Sequence, residues 1–338
     1  MKRIFLLTAA ASLLLFFACK SNTENGDSTV AIESSIVDYT TVAIPDFSAD
    51  SAYAFVEKQL SFGDRIPGSK GWRQCADWLA AQMRRWCDTV IVQDFNTTLW
   101  DGSSVPGKNI IASLNPNSGK RILLAAHWDS RQWADHDKSD AKHHSPVPGA
   151  NDGASGVGAL MEMARVMSAM PPSVGVDFIF FDVEDQGTPE WAEKNASADT
   201  WCKGSQHWAR NNHVPFYSAV YGILFDMVGT LQPRFTRERI STYYALGLVD
   251  KLWNAAAALG YGHIFVNQET DEILDDHYYI NSIAGIPTVD IVQNSGTTSF
   301  FEHWHTVTDD INSVSRESLA IVARVTMKTI YGDYPNEK

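Results

Sequence analysis

Glu184 and Asp185 stand side by side at the end of the run VDFIFFDV at 176–183, with Gln186 and Gly187 following at once. A nearly continuous apolar run of that length, rich in β-branched and aromatic residues, reads as a strand buried on both faces in the middle of a parallel sheet. Ligands collect beyond the carboxyl ends of such strands. Two carboxylates held together at the edge of an apolar layer repel and desolvate each other, so one is protonated or a cation sits with them. The pair therefore points to a metal centre or an acid/base centre.

Three further stretches lead to residues of ligand type. The run RILLAAH at 121–127 ends on His127 with Asp129 behind it, the run at 218–225 ends on Asp226, and a late loop carries His303 and His305. One such ending is ordinary, because Asp is common in turns. Four together, with Asp152 opening a helix between them, point to a shared site, since neighbouring strand ends lie only ~4.8 Å apart. Carboxylate and imidazole donors without thiolate suit zinc ahead of manganese or cobalt. Asp152 also has an ordinary reading as a helix N-cap, and His305 as a core histidine.

The elements that position these residues follow from periodicity and turn signals. Helices are predicted over 48–60, 69–86, 152–167, 204–211, 246–259 and 316–330, and strands over 89–95, 108–114, 121–127, 176–183, 218–225 and 287–292. The alternation implies an α/β sandwich: a mixed, largely parallel central sheet in three layers, flanked by helices. The loop 131–148, with His136, His143 and His144, reads as a solvated cover of the site.

The 338 residues, 44% of them hydrophobic, suffice for one large core, and no linker interrupts the chain after about residue 45. The net charge of −13 and the lack of a Lys/Arg cluster in the body argue against nucleic acid. Lys2 and Arg3 precede an apolar stretch from Ile4 to Ala18, then Cys19. That order suits a signal-peptide core rather than a membrane span. It resembles a bacterial lipoprotein signal, although the usual Leu three residues before the cysteine is missing. The expected division is a signal peptide at 1–18, a polar tether at 19–45 lipidated on Cys19, and one catalytic domain at 46–338. The expected location is the periplasmic side of a Gram-negative membrane, as an anchored lipoprotein, and a monomer is expected. Cys75 and Cys87 lie too far apart along one helix to pair with each other.

The strings AHWDSR at 126–131, GANDGASGVGALMEMAR at 149–165, FFDVEDQG at 180–187, FDMVG at 225–229, DDH at 275–277 and WHTVTDD at 304–310 resemble the zinc aminopeptidase-like (M28) superfamily. Within it they look most like the glutaminyl cyclases of animals and bacteria, and the match runs from about 120 to 310. The resemblance implies a zinc exopeptidase-like fold and one zinc ion on Asp152, Asp185 and His305. Glu184 takes the place of the acid/base carboxylate. Asp185 stands where animal cyclases have Glu.

The dinuclear aminopeptidases of the superfamily use five ligands, and His127 and Asp226 match their two additional positions. The choice of reaction therefore rests on the surroundings. By resemblance Trp304 and Trp191 wall a pocket for a glutamine side chain, with Trp128 a further candidate. Asp276 and Asp226 form an acid network near the substrate amine. The implied activity is cyclisation of N-terminal glutamine of peptides or exported proteins to pyroglutamate, with release of ammonia. The alternatives are a zinc aminopeptidase and, from another class, a non-catalytic peptide-binding lipoprotein.

Overall fold

The computed structural model describes residues 37–192, 199–294 and 300–337. The signal segment 1–18, Cys19 and the tether up to residue 36 lie outside them. Residues 37–45 correct the expected boundary. Tyr39 is buried, and Val37, Val42 and Ile44 pack against the main core. These apolar residues, spaced among Asp and Thr, gave no helical or strand period to mark them as part of the fold.

Two serine caps open the first helices. Ser48 accepts from the Ser51 N–H ahead of α1 (Ala49–Leu60), and Ser69 accepts from the Trp72 N–H ahead of α2 (Lys70–Met83). The second helix stops three residues short of expectation, at Met83, and Cys87 lies four residues beyond its end. Cys75, Cys87 and Cys202 are all free and buried. The hairpin of β1 (Thr89–Thr98) and β2 (Ser104–Leu114) follows, then β3 (Arg121–His127), α3 (Ala154–Ala169), β4 (Gly175–Phe181), α4 (Lys203–Arg210) and β5 (Gly222–Asp226). The rest comprises β6 (Phe235–Glu238), α5 (Arg239–Ala258), β7 (Phe265–Thr270), α6 (Asp276–Ser282), β8 (Thr288–Val292) and α7 (Arg316–Asp333).

The main sheet has the order β1-β2-β4-β3-β5-β8, antiparallel where β1 meets β2 and β2 meets β4, and parallel from β4 through β3 and β5 to β8. Strand alternation divides its side chains between two cores. Ile122, Leu124, Ala126, Phe178 and Phe180 join the large core with residues of α1, α3, α5 and α7. Leu123, Ala125, Ile179 and Phe181 face the smaller one with Trp208 of α4 and Ile280 of α6. This is the expected three-layer sandwich, and it brings the carboxyl ends of β4, β3 and β5 side by side.

Four pieces escaped the sequence pattern. The short parallel pair β6 and β7 is interrupted by a register shift and carries mostly polar residues. The helix α6, at 7 residues, is too short for a helical period to register. The first part of α5 is polar and ends at a kink, where Ala245 has φ −140° and ψ 36°.

Candidate metal centre and active site

The acid pair is presented by a turn, not by the strand itself. β4 stops at Phe181, and Val183 takes a left-handed φ of 55°. Asp129, just past β3, then gathers the turn: its carboxylate accepts from the N–H of Glu184 (3.1 Å), the N–H of Asp185 (3.3 Å) and Nε2 of Gln186 (3.0 Å).

Asp152 arrives from the other side of β3. Its backbone N–H donates to Asp309 Oδ2 at 3.0 Å, and the N–H of Asn151 donates to Oδ1 of the same carboxylate at 2.9 Å. The cap of α3 is Gly153, with φ 79°, so the N-cap reading of Asp152 fails and its carboxylate is free for another task. A Cβ at Gly153 would come within 2.6 Å of the His127 ring, which is why the turn requires glycine.

Asp152, Asp185 and His305 converge, with one donor atom from each lying within 4.8 Å of the others. Nε2 of His305 is 3.0 Å from Asp185 Oδ1 and 3.7 Å from Asp152 Oδ2. Donors ~2.0 to 2.1 Å from a tetrahedral zinc stand roughly 3.3 Å apart, so these spacings bracket the requirement. Asp152 Oδ2 and Asp185 Oδ2 are buried and have no hydrogen-bond partner among the described residues, as suits oxygens that serve as cation ligands. His127, Asp152 and Asp226 make a second group, with His127 Nε2 at 3.0 Å from Asp152 Oδ1 and 3.2 Å from Asp226 Oδ1. The five positions of a dinuclear site are thus all together, and donor geometry alone fits one ion or two.

The electrostatics of the metal-free protein have the same meaning. Burial pushes the Glu184 carboxyl well above its ordinary range, and Asp275, Asp185 and Asp276 push it further against the pull of His127. Burial, then Asp152, raises Asp185. Burial raises Asp226 to about 7, with Asp275 and Asp152 adding to it against the His127 hydrogen bond. Burial works against a charged His127, yet Asp129, Asp152 and Asp226 around it raise it well above the usual histidine value. His305 is also raised, against burial and Arg131, by Asp185 and Asp135. Without metal these acids are balanced by protons, the place a divalent cation takes.

Asp135 and Arg131 belong to this centre and were missed. The loop 131–148 is not simply a solvated cover, because both side chains are buried. Arg131 Nε and Nη2 grip the Asp135 carboxylate at 2.7 and 2.6 Å, and Asp135 Oδ1 faces His305 Nδ1 at 3.4 Å. The signal was an Arg and an Asp four residues apart directly after the His-Trp-Asp motif.

A cavity of about 150 Å³ opens on the donors and is lined by Glu184, Asp226, Asp275, Trp201, Phe300, Trp304, Leu274 and Ile273, among others. Trp304 is where expected, stacked on His305 with ring centroids 3.9 Å apart. Three expectations need correction. Trp191 is 41% exposed and packs against Trp133 and His144, away from the cavity lining. Trp201 is the wall instead, stacked at 11° on His305, with the Arg131 guanidinium 4.8 Å from its ring. Both tryptophans follow the acid pair within one loop, and the motif does not specify which returns to the site.

Trp128 is fully buried, stacked on Trp72 and donating its indole N–H to the Lys108 carbonyl at 3.0 Å, so it is a core residue. Asp276 is fully buried, with Asp275 and Ser205 as neighbours, and it is Asp275 that lines the cavity. α6 starts at Asp276, while Asp275 caps it in extended conformation (φ −147°, ψ 178°), so the two adjacent side chains diverge.

Fold and site together define a zinc exopeptidase-like scaffold. The chain belongs to Peptidase family M28, whose profile matches residues 109–330. Among solved structures it is similar to a glutaminyl cyclase of Bacteroides thetaiotaomicron bound to N-acetylhistamine, at 42% identity over 88% of this chain and 100% of that one, TM-score 0.84. It is also similar to a Zn-dependent exopeptidase of Parabacteroides distasonis, at 44% identity over 86% and 99%, TM-score 0.83. Among curated proteins it is 23% identical to the glutaminyl-peptide cyclotransferase of Bos taurus over 285 residues, 76% of this chain and 74% of that one. It is 25% identical to aminopeptidase YwaD of Bacillus subtilis over 240 residues, 68% of this chain but 46% of that one. The chain thus spans about half or less of the length of the first curated relatives it matches. Zinc is the cofactor that this donor set and this family specify.

Proposed function

We propose that the protein cyclises N-terminal glutamine of peptides to pyroglutamate with release of ammonia, as one zinc-dependent catalytic domain. The observation that carries this reading is the cavity beside the zinc donors, in which Trp201, Phe300 and Trp304 face the carboxyls of Glu184, Asp226 and Asp275. Aromatic walls suit a flat carboxamide, and a cluster of acids suits an α-amine.

Asp152, Asp185 and His305 would hold the zinc, which when bound polarises the γ-carboxamide carbonyl. The aromatic walls fix the glutamine so that the α-nitrogen lies against the carbonyl carbon, and the ring-closing attack gains from that enforced proximity. Glu184 takes a proton from the attacking nitrogen and returns it to the departing one. A new C–N bond forms to the α-nitrogen, the C–N bond of the γ-carboxamide breaks, and ammonia leaves. Of Asp226 and Asp275, which both line the cavity, one keeps its own proton and the other accepts a hydrogen bond from the amine, since Asp275 raises Asp226 and two buried carboxyls do not both ionise cheaply.

The second reading, a dinuclear aminopeptidase, is favoured by the His127, Asp152 and Asp226 group. Mass spectrometry of a Gln-peptide after incubation separates the two. The cyclase yields the same peptide lighter by one ammonia, and a peptidase yields the peptide shortened by one residue.

The basic start, apolar core and cysteine of residues 1–19 support an exported lipoprotein, lipidated on Cys19 and exposed to the periplasm. Its substrates would then be exported proteins and peptides beginning with glutamine, met by a monomer.

A further inference from the structure

Cys202 touches the proposed acid/base residue, yet the chemistry above has no use for it. It sits at the cap of α4 with a left-handed φ of 54°. Its N–H donates to the Glu184 carbonyl at 2.9 Å, and the next N–H, of Lys203, donates to the Val183 carbonyl at 2.9 Å. These two bonds tie the start of α4 to the turn that presents the acid pair. Cys202 Sγ lies 3.2 Å from Glu184 Oε1, within range for a sulfur donor.

The thiol is fully buried. Burial, followed by the charges of Glu184, Asp276 and Asp275, pushes it well above its ordinary value, so it is an S–H and donates. Cys202 is free, so no disulfide role competes, and its Sγ clusters with the carboxylates of Glu184 and Asp275, neither of which is one of the three zinc donors Asp152, Asp185 and His305.

A glutamate side chain has several rotamers, and holding one of them loses conformational entropy that a single fixed donor offsets. A thiol is a weak donor, so it can orient a carboxylate without taking over the oxygen that must exchange a proton. We propose that Cys202 is a positioning residue: its S–H holds Oε1 of Glu184, the backbone bridge holds the turn, and Oε2 is left to meet the substrate nitrogen. The role rests on Glu184 acting as the proton shuttle.

The test combines activity with a readout that needs none. Cys202→Ala removes the donor and Cys202→Ser keeps one. In zinc-loaded protein of unchanged metal content, Cys202→Ala is expected to lower kcat about tenfold, as loss of one hydrogen bond to a charged group would, with KM nearly unchanged. Cys202→Ser restores most of the rate. The rates are taken on whichever of a Gln-peptide and a Leu-peptide the wild type turns over, so a wrong choice of reaction does not decide this question. Independently, the infrared S–H stretching band of the wild type that disappears in Cys202→Ser is expected to shift on Glu184→Gln. The proposal is overturned by a wild-type kcat in Cys202→Ala, by Cys202→Ser being as slow as Cys202→Ala, or by an S–H band that ignores Glu184→Gln. If Cys202→Ala does not fold, the band decides alone.

Discussion

Asp135 Oδ1 lies 3.4 Å from Nδ1 of His305, while the opposite ring nitrogen, Nε2, lies 3.0 Å from Asp185 Oδ1. Arg131 completes the arrangement, since it grips Asp135 and donates through Nη1 to the Asp185 backbone carbonyl at 2.9 Å. One guanidinium therefore braces two of the three zinc donors. A carboxylate behind a ligating histidine fixes the ring's tautomer and raises its basicity.

Replacing Asp135 with Asn keeps the size and removes the charge. Zinc affinity is expected to fall about 10- to 100-fold, read by competition with a chelator. Unchanged affinity would show that Asp135 only packs the loop.

Glu184→Gln should lower turnover by roughly 10² to 10⁴, the range for loss of a general acid/base, while the protein keeps one zinc per molecule. Metal loss would make Glu184 a ligand. Two zinc ions per molecule in the wild type would mean that His127, Asp152 and Asp226 hold a second one.

The three tryptophans should separate cleanly. Trp201→Ala is expected to weaken substrate use by about tenfold or more in kcat/KM, since it removes a cavity wall worth roughly 1.4 kcal/mol or more. Trp191→Ala should stay within about twofold. Trp128→Ala should lower stability by roughly 3 to 5 kcal/mol, measured by denaturant unfolding. Equal effects of Trp191→Ala and Trp201→Ala on kcat/KM would refute the assignment of the wall.

Stability of the metal-free protein should fall as pH rises from 5 to 8. Burial pushes Asp226 and Asp309 up to about 7 in the folded protein, against 3.8 for an ordinary aspartate. Between those values the folded protein holds more protons than the unfolded one, so its stability declines as they leave. His127 and His305, raised by their acid neighbours against burial, add stability that is also lost as pH rises through their folded values. Thermal unfolding with chelator present should show Tm lower at pH 8 than at pH 5 by on the order of 5 °C. Zinc should shrink the difference, because it displaces the same protons. A chelated protein more stable at pH 8 would contradict this balance.

The strand ends were legible because a buried parallel strand is a continuous apolar run, and the residue that stops it is conspicuous. His127, Glu184, Asp185 and Asp226 were found in that way. Trp201, Asp135 and Asp275 were not, because each reaches the site from a loop or a helix cap, where local pattern carries no direction. Asp275 and Asp276 make the point most sharply. They are adjacent and chemically identical, and the backbone turn at the start of α6 alone decides which one lines the cavity.

The proposed function requires that the acids and aromatic walls around this zinc site serve ring closure rather than hydrolysis. The direct measurement is to incubate the zinc-loaded protein with a Gln-peptide and a Leu-peptide and record ammonia and free amino acid from each. Ammonia from the Gln-peptide, with no amino acid released from either, is the predicted result. Free leucine from the Leu-peptide would contradict it and identify the protein as an aminopeptidase.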